Sequence, residues 1–208
     1  MTAVDDRQRL GRRARLLAGV NVAYNGVEAV VAIFAGVAAG SAALVGFGLD
    51  SVVEVSSGLV ILWQFGHHMP ESCERQAQRL IAASFFALAS FVVQDSVRGL
   101  VAGADPDVSR VGIALAALSL LVMPLLSRAQ LRTGRALHSA AVVGDGTQTL
   151  LCAYLSAVLL GGLLLNAAFG WGWADPVAGL VIAAVAVKEG RETWRGDACC
   201  GPSSSGCA

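Results

Sequence analysis

The chain has 208 residues, of which 55% are apolar and only 14% charged, a balance unlike that of a soluble domain. Basic and acidic residues number fifteen each, so the net charge is zero and gives no reason to expect a nucleic-acid partner. We therefore expect an all-α integral membrane protein that crosses the lipid bilayer several times.

Six apolar stretches follow one another along the chain, and most have the roughly 17 to 25 residues that a helix needs to cross a bilayer. They run over residues 16–38, 42–65, 79–101, 111–126, 140–168 and 174–187. Residues 1–15 are polar and Arg-rich, without the cleavage site of a signal peptide. The sequence thus predicts a basic N-terminus (1–15), a six-helix transmembrane domain (16–190) and a short Cys-containing tail (191–208).

The distribution of basic residues indicates the orientation of these spans. Thirteen of the fifteen lie at the two termini or in the second-to-third and fourth-to-fifth connections, and the other two are Arg98 and Arg110. Short cytoplasmic loops retain Lys and Arg, so both termini are predicted to be cytoplasmic. We expect a multi-pass protein of the plasma membrane with reduced cysteine thiols.

Three of the spans carry stripes of polar residues, where a membrane-spanning helix would be expected to carry apolar ones. The stripes are Asn21, Asn25 and Glu28 in the first span, Asp50 and Glu54 in the second, and Asp145, Gln148 and Cys152 in the fifth. Within each stripe the spacing places the residues on one helix face. A charged side chain at the centre of a transmembrane helix costs about 2.5 to 3.5 kcal/mol, so such residues need a partner or a function. Three stripes predict three helices around a common polar interior.

Depth along the helices brings four of these groups to mid-membrane. With a rise of about 1.5 Å per residue, Glu54 is predicted at the level of Gln148, and Asp50 at the level of Cys152. Two carboxylates, an amide oxygen and a thiolate can bind a borderline or soft divalent cation. A structural interpretation stays open for single residues, because a lone buried carboxylate or asparagine can join helices by hydrogen bonds, and a lone cysteine can simply pack.

Motifs in the second and fifth spans resemble those of a known family. Gly40-Ser-Ala-Ala-Leu leads to Asp50-Ser-Val-Val-Glu54, and Ser139-Ala-Ala-Val-Val-Gly leads to Asp145. These stretches resemble the second and fifth helices of the cation diffusion facilitator transporters, and the resemblance extends over residues 16–188. It implies a secondary active transporter, not an enzyme, that exchanges a divalent metal ion for protons and needs no prosthetic group.

The resemblance also implies which side chains hold the transported metal: Asp50, Glu54, Gln148 and Cys152, with Asp145, Asn25 and Glu28 in support. Zn²⁺ is the first expectation. Three ligand positions depart from the family pattern, since Glu54, Gln148 and Cys152 stand where Asp, His or Asp, and Asp are usual. The thiol favours softer ions such as Cd²⁺, whereas the carboxylates also suit Fe²⁺, Co²⁺ or Mn²⁺.

Two further clusters could hold metal at the membrane surface. His67, His68, Glu71 and Cys73 form a predicted secondary loop site, although a solvated loop with incidental histidines explains them too. Cys199, Cys200 and Cys207 could collect a soft cation, but three thiols do not close a zinc site. Because the tail is too short for the family's usual cytoplasmic domain, a homodimer would depend on packing between membrane helices.

Two other functions are compatible with a polar membrane interior. A proton-coupled pump for small organic cations would also use carboxylates, but only 6% of the residues are aromatic, too few for the aromatic-lined cavity it would need. A membrane scaffold or metal sensor that does not transport would keep the helices alone.

Overall fold

The structure, a computed structural model, describes residues 3–64, 71–103 and 106–195. Within these ranges the chain forms six α-helices and no β-strand. They are α1 (Ala3–Ala39), α2 (Ala42–Gln64), α3 (Glu71–Ala102), α4 (Arg110–Leu137), α5 (Ala140–Phe169) and α6 (Ala174–Arg195). The predicted all-α, six-helix architecture is confirmed.

Several helices extend beyond the apolar stretches from which they were predicted. α1 begins at Ala3 instead of residue 16, α3 begins at Glu71 instead of 79, α4 continues to Leu137 and α6 to Arg195. The extensions contain Arg, Gln, Ala and Leu, which favour a helix whether or not lipid surrounds it. Hydropathy marks only the part of a helix inside the membrane, so the basic residues expected in loops lie on helices.

In the part of the chain that the structure describes, four helical segments are long and apolar enough to cross a membrane, by length and composition: Gln8–Ala39, Ala82–Ala102, Arg110–Leu137 and Val142–Phe169. α6 has charged residues near both ends, which leave a short apolar segment between Asp175 and Lys188. Large apolar side chains such as Val27 and Phe34 on α1 are exposed, as expected for a surface that faces lipid. The chain is a polytopic membrane protein.

Helix packing encloses one main interior. α1 packs on α2 and α4, and α5 packs on α4 and α2, while α3 and α6 form a pair beside them. Phe47, Met123, Leu159 and Ile182 belong to the main apolar core, and Val92 belongs to a second cluster between α2, α3 and α6. The polar residues predicted from the sequence lie on α1, α2 and α5, three of the four helices that surround the main interior.

The α1–α2 and α4–α5 hairpins use the same turn at opposite ends of the bundle. Each reverses at a left-handed residue, Gly40 (φ +65°) or His138 (φ 52°). A serine then caps the following helix: Ser41 Oγ accepts the Leu44 N–H at 3.1 Å, and Ser139 Oγ accepts from the next helix's first turn at 3.5 Å.

Close contacts between the helices also repeat in both hairpins. A Cβ added at Gly36 would lie 2.7 Å from the Val45 nitrogen, and one at Gly134 would lie 2.9 Å from the Val143 nitrogen. Residue numbers in the two hairpins differ by 98 at each matching position, as from Ser41 to Ser139. The hairpins are therefore an inverted repeat, a common plan in secondary transporters. Sequence analysis missed it, although both copies contain Ser-Ala-Ala-x-Val-Gly-x-Gly.

The glycine contacts give a stability prediction. Gly134→Ala should destabilise the protein by about 1 to 3 kcal/mol, because the new methyl group would meet the backbone of the facing helix. Gly161→Ala is the matched control on α5, since a Cβ there has nothing within 4 Å. Thermal unfolding in detergent should show a lower midpoint for Gly134→Ala alone. Equal midpoints for both variants would contradict the tight α4–α5 contact.

Candidate metal site

The polar stripes predicted from the sequence are inside the bundle. Seven of the eight predicted residues are buried, namely Asn21, Asn25, Glu28, Asp50, Glu54, Asp145 and Cys152, and Gln148 is half-buried. Their helices bring side chains from three separate stretches of sequence into one interior. Burial by itself does not make them ligands, and their role in binding metal stays a prediction.

The carboxylates in this interior interact electrostatically with one another. Glu54 experiences repulsion from Asp50, Asp145 and Glu28. The Cys152 thiol is likewise within reach of Glu54, Glu28 and Asp50. Every Arg and Lys whose side chain the structure describes is exposed, so none of them neutralises the interior. The site has a strong excess of negative potential whenever more than one of these acids is ionised.

Glu54 is the least satisfied of these acids. Its side chain is 2% exposed, and neither carboxylate oxygen accepts a regular hydrogen bond. The Asn25 side chain interacts with the Glu54 carboxylate, but not in the geometry of a regular hydrogen bond. A buried carboxylate without donors is costly unless it carries a proton or binds a cation. Glu54 is therefore well suited to exchange one for the other.

Glu28, by contrast, is held by hydroxyl groups from two other helices. Ser51 Oγ on α2 donates to Glu28 Oε2 at 3.0 Å, and Ser119 Oγ on α4 donates to Glu28 Oε1. Tyr24 Oη lies 3.0 Å from Ser119 Oγ and extends the network. These bonds join α1 to α2 and α4, so Glu28 positions the helices that surround Glu54.

Asp145 belongs to a second network, nearer the α4–α5 turn. Gln130 Nε2 donates to Asp145 Oδ2 at 2.5 Å, and the Asn21 side chain interacts with the same carboxylate. Sequence analysis missed Gln130 because the fourth span was expected to end at residue 126. Ser119, Ser127 and Gln130 are buried on one α4 face, and their helical spacing was the signal that could have identified them.

The ligand set is not assembled as a closed shell. In the described part of the chain, no three His, Cys, Asp or Glu side chains are close enough together to hold one metal ion. Asp50, Glu54 and Cys152 share an interior, but direct ligation by all three would require the helices to shift. Amide oxygens and water could complete a shell around fewer protein ligands.

The structure does not test the two metal clusters predicted at the membrane surface. His67 and His68 lie outside the described residues, as do Cys199, Cys200 and Cys207. Glu71 and Cys73 fall in the first turn of α3, but their side chains also lie outside the description. The secondary loop site and the tail site stay predictions.

At the opposite end of the bundle, Asp175 has a structural role. Ser41 Oγ donates to Asp175 Oδ1 at 2.5 Å, and the Ala43 N–H donates to Oδ2 at 3.4 Å. These bonds attach the start of α6 to the start of α2, so Asp175 is occupied by protein donors.

A helical bundle with lipid-facing apolar surfaces, an inverted repeat and a buried acidic interior defines a membrane transport domain. Residues 19–196 match the family described as the cation efflux transmembrane domain. The chain therefore belongs to the cation efflux family, which confirms the resemblance found in α2 and α5.

Two curated relatives share part of this domain. An uncharacterized transporter of Methanocaldococcus jannaschii is 30% identical over 108 residues, which are 52% of this chain and 38% of that protein. Transmembrane protein 163 of Xenopus laevis is 26% identical over 149 residues, which are 70% of this chain and 53% of that protein. The chain thus spans about half or less of the length of these relatives.

Proposed function

We propose that this chain exports a divalent metal cation from the cytoplasm across the plasma membrane in exchange for protons. Zn²⁺ is the proposed substrate, with Cd²⁺, Fe²⁺, Co²⁺ and Mn²⁺ as further candidates. The observation that carries the proposal is Glu54: a buried carboxylate without a regular hydrogen bond, among other acids, in an interior that contains none of the described Arg or Lys side chains, which are all exposed. Membership of the cation efflux family supports the same substrate class.

Competition for the same side chains couples the two fluxes. Metal ligands bind in their deprotonated form, so an arriving metal ion displaces protons from Asp50 and Glu54, and protons arriving from the other side displace the metal. The repulsion between these acids favours either outcome over an empty, fully ionised site. Relative motion of the α1–α2 and α4–α5 hairpins would expose the site alternately to each face.

The proposed direction follows from the basic end of the bundle. Arg9, Arg12 and Arg13 on α1 and Arg132 and Arg135 on α4 are exposed near the end where the α4–α5 hairpin turns. The positive-inside tendency places that end in the cytoplasm. Dimerisation through membrane helices is a separate expectation that the transport mechanism does not require.

Proteoliposomes with an acidic lumen test the proposal. External Zn²⁺ should enter against its gradient while a lumenal pH indicator reports alkalinisation, because each entering metal ion releases protons outward. A protonophore should abolish accumulation. Metal entry unaffected by the pH gradient would contradict antiport, uptake of organic cations alone would favour the organic-cation pump, and no flux of either would favour a scaffold or sensor.

A further inference from the structure

Amide oxygens accompany Asp145 in a part of the interior separate from Cys152. Gln130 is 1% exposed and Asn25 is fully buried, yet Gln130 Oε1 and Asn25 Oδ1 accept no hydrogen bond. Their NH₂ groups are engaged: Gln130 donates to Asp145, and Asn25 donates to Asn21 Oδ1 at 2.9 Å. Each amide NH₂ group thus donates to another protein side chain, while the amide oxygen accepts no hydrogen bond.

Two buried, unpaired amide oxygens beside a carboxylate are chemically matched to a cation. A buried acceptor left unpaired destabilises the protein, and a bound cation or its water ligands would remove that penalty. The groups are linked side by side, because Asn21 interacts with Asp145 and with Asn25, and Asn25 lies beside Glu54. No described Arg or Lys is buried to compete for this place.

We propose that the Asp145 carboxylate and the amide oxygens of Gln130 and Asn25 form a second cation site, made of oxygen ligands only. Asn21 connects Asp145 to Asn25. One carboxylate and two amide oxygens suit a hard divalent ion that keeps part of its water, such as Mn²⁺. Asp145 and Cys152 are seven residues apart on α5, which separates this site from the thiol by about 10 Å along the helix.

The inverted repeat supplies an internal comparison for this site. The positions equivalent to Gln130 and Asp145 in the α1–α2 hairpin are Ala32 and Phe47, both fully buried in the apolar core. The packing at the two places is the same, because a Cβ at Gly146 would lie 3.0 Å from the Gln130 Cβ, and one at Gly48 would lie 3.0 Å from the Ala32 Cβ. Helix packing therefore does not require polar residues here, and only the half near the α4–α5 turn has them.

Because these polar residues lie only in the half near the α4–α5 turn, the second site would receive the metal ion before the deeper site does. An ion entering from the basic end would meet Asp145 first, about six residues into α5, and Glu54 and Cys152 afterwards. The oxygen site would hold it while water is still bound, and the deeper site would complete dehydration. This role rests on the proposed transport function, whereas the existence of the site does not.

Mn²⁺ binding to purified protein tests the site separately from transport. In a Glu54→Gln background, which disables the deeper site, electron paramagnetic resonance titration should still find one bound Mn²⁺ per chain. Adding Gln130→Leu, which keeps the bulk but removes both polar atoms, should abolish that binding. Adding Gln130→Glu should instead tighten it about tenfold, since affinity rises with ligand charge. If Gln130→Leu fails to fold, the expected gain in affinity with Gln130→Glu still tests the site.

Ser127→Ala is the matched control on the same helix pair. Ser127 Oγ donates to the Gly146 carbonyl at 2.5 Å, so its loss removes an α4–α5 hydrogen bond without changing the oxygen ligands. It should leave Mn²⁺ binding unchanged. Loss of binding in the Glu54→Gln background itself, retention after Gln130→Leu, or an equal loss with Ser127→Ala would each overturn the site. Zn²⁺ flux by the wild-type protein, with no Mn²⁺ bound in the Glu54→Gln background, would overturn the site but not the proposed function. Mn²⁺ binding in that background, with no flux by the wild-type protein, would overturn the proposed function but not the site.

Discussion

Metal flux should fall to the background of empty liposomes when Glu54 is replaced by Gln. The substitution keeps the shape of the side chain but removes its negative charge and its exchangeable proton, so the metal loses an anionic ligand and metal binding no longer displaces a proton there. Because neither carboxylate oxygen accepts a regular hydrogen bond, the change breaks none within the protein. We therefore expect loss of Zn²⁺ uptake and of the linked proton flux, with normal insertion and unchanged thermal stability.

Asp50→Asn is a second test of the site, and Ser56→Ala is the control. Asp50 is buried one helical turn before Glu54 and should behave in the same way. Ser56 is exposed on α2 and bonds only to its own helix, at the Val52 carbonyl, so its replacement should leave flux unchanged. Wild-type flux in both carboxylate variants would reject the proposed site. Loss of flux accompanied by unfolding in Glu54→Gln would assign the residue a structural role.

The sequence predicted those features that stand out against an apolar background. Asp50 and Glu54 were identifiable because ionisable groups are expensive in a transmembrane helix, and the depth argument brought them toward the fifth span. The start of α2 at Ala42 was also predictable, since Gly40 supplies a left-handed turn and Ser41 a helix cap.

Neutral polar residues and helix ends were harder to predict for a physical reason. Ser119 and Gln130 cost little in a helix, and only the partners of their side chains distinguish them from packing residues; those partners, Glu28 and Asp145, are distant in sequence. The inverted repeat was missed because its short shared stretch occurs only twice, 98 residues apart, and so gives no regular period along the chain. Metal ligation itself depends on helix positions that the sequence does not fix.

The identity of the metal should respond most strongly to Cys152. It is buried as a free thiol within reach of Glu54 and Asp50, where it would be the one soft ligand among oxygen donors. Cys152→Asp keeps an ionisable ligand but hardens it, so we expect a lower ratio of Cd²⁺ to Mn²⁺ flux, by about tenfold or more, with some flux preserved. Cys152→Ser lacks an easily ionised group and should weaken the binding of every metal.

Competition between Cd²⁺ and Mn²⁺ in proteoliposomes measures the ratio directly, at fixed pH because thiolate formation is linked to protons. Ser156→Ala is the control, since Ser156 is buried one turn further along α5 and bonds only to the Cys152 carbonyl. It should preserve the ratio. If Cys152→Asp leaves the ratio unchanged and Cys152→Ser leaves affinity unchanged, Cys152 is a packing residue. The fourth ligand would then be an oxygen, with Asp145 the nearest alternative on the same helix face.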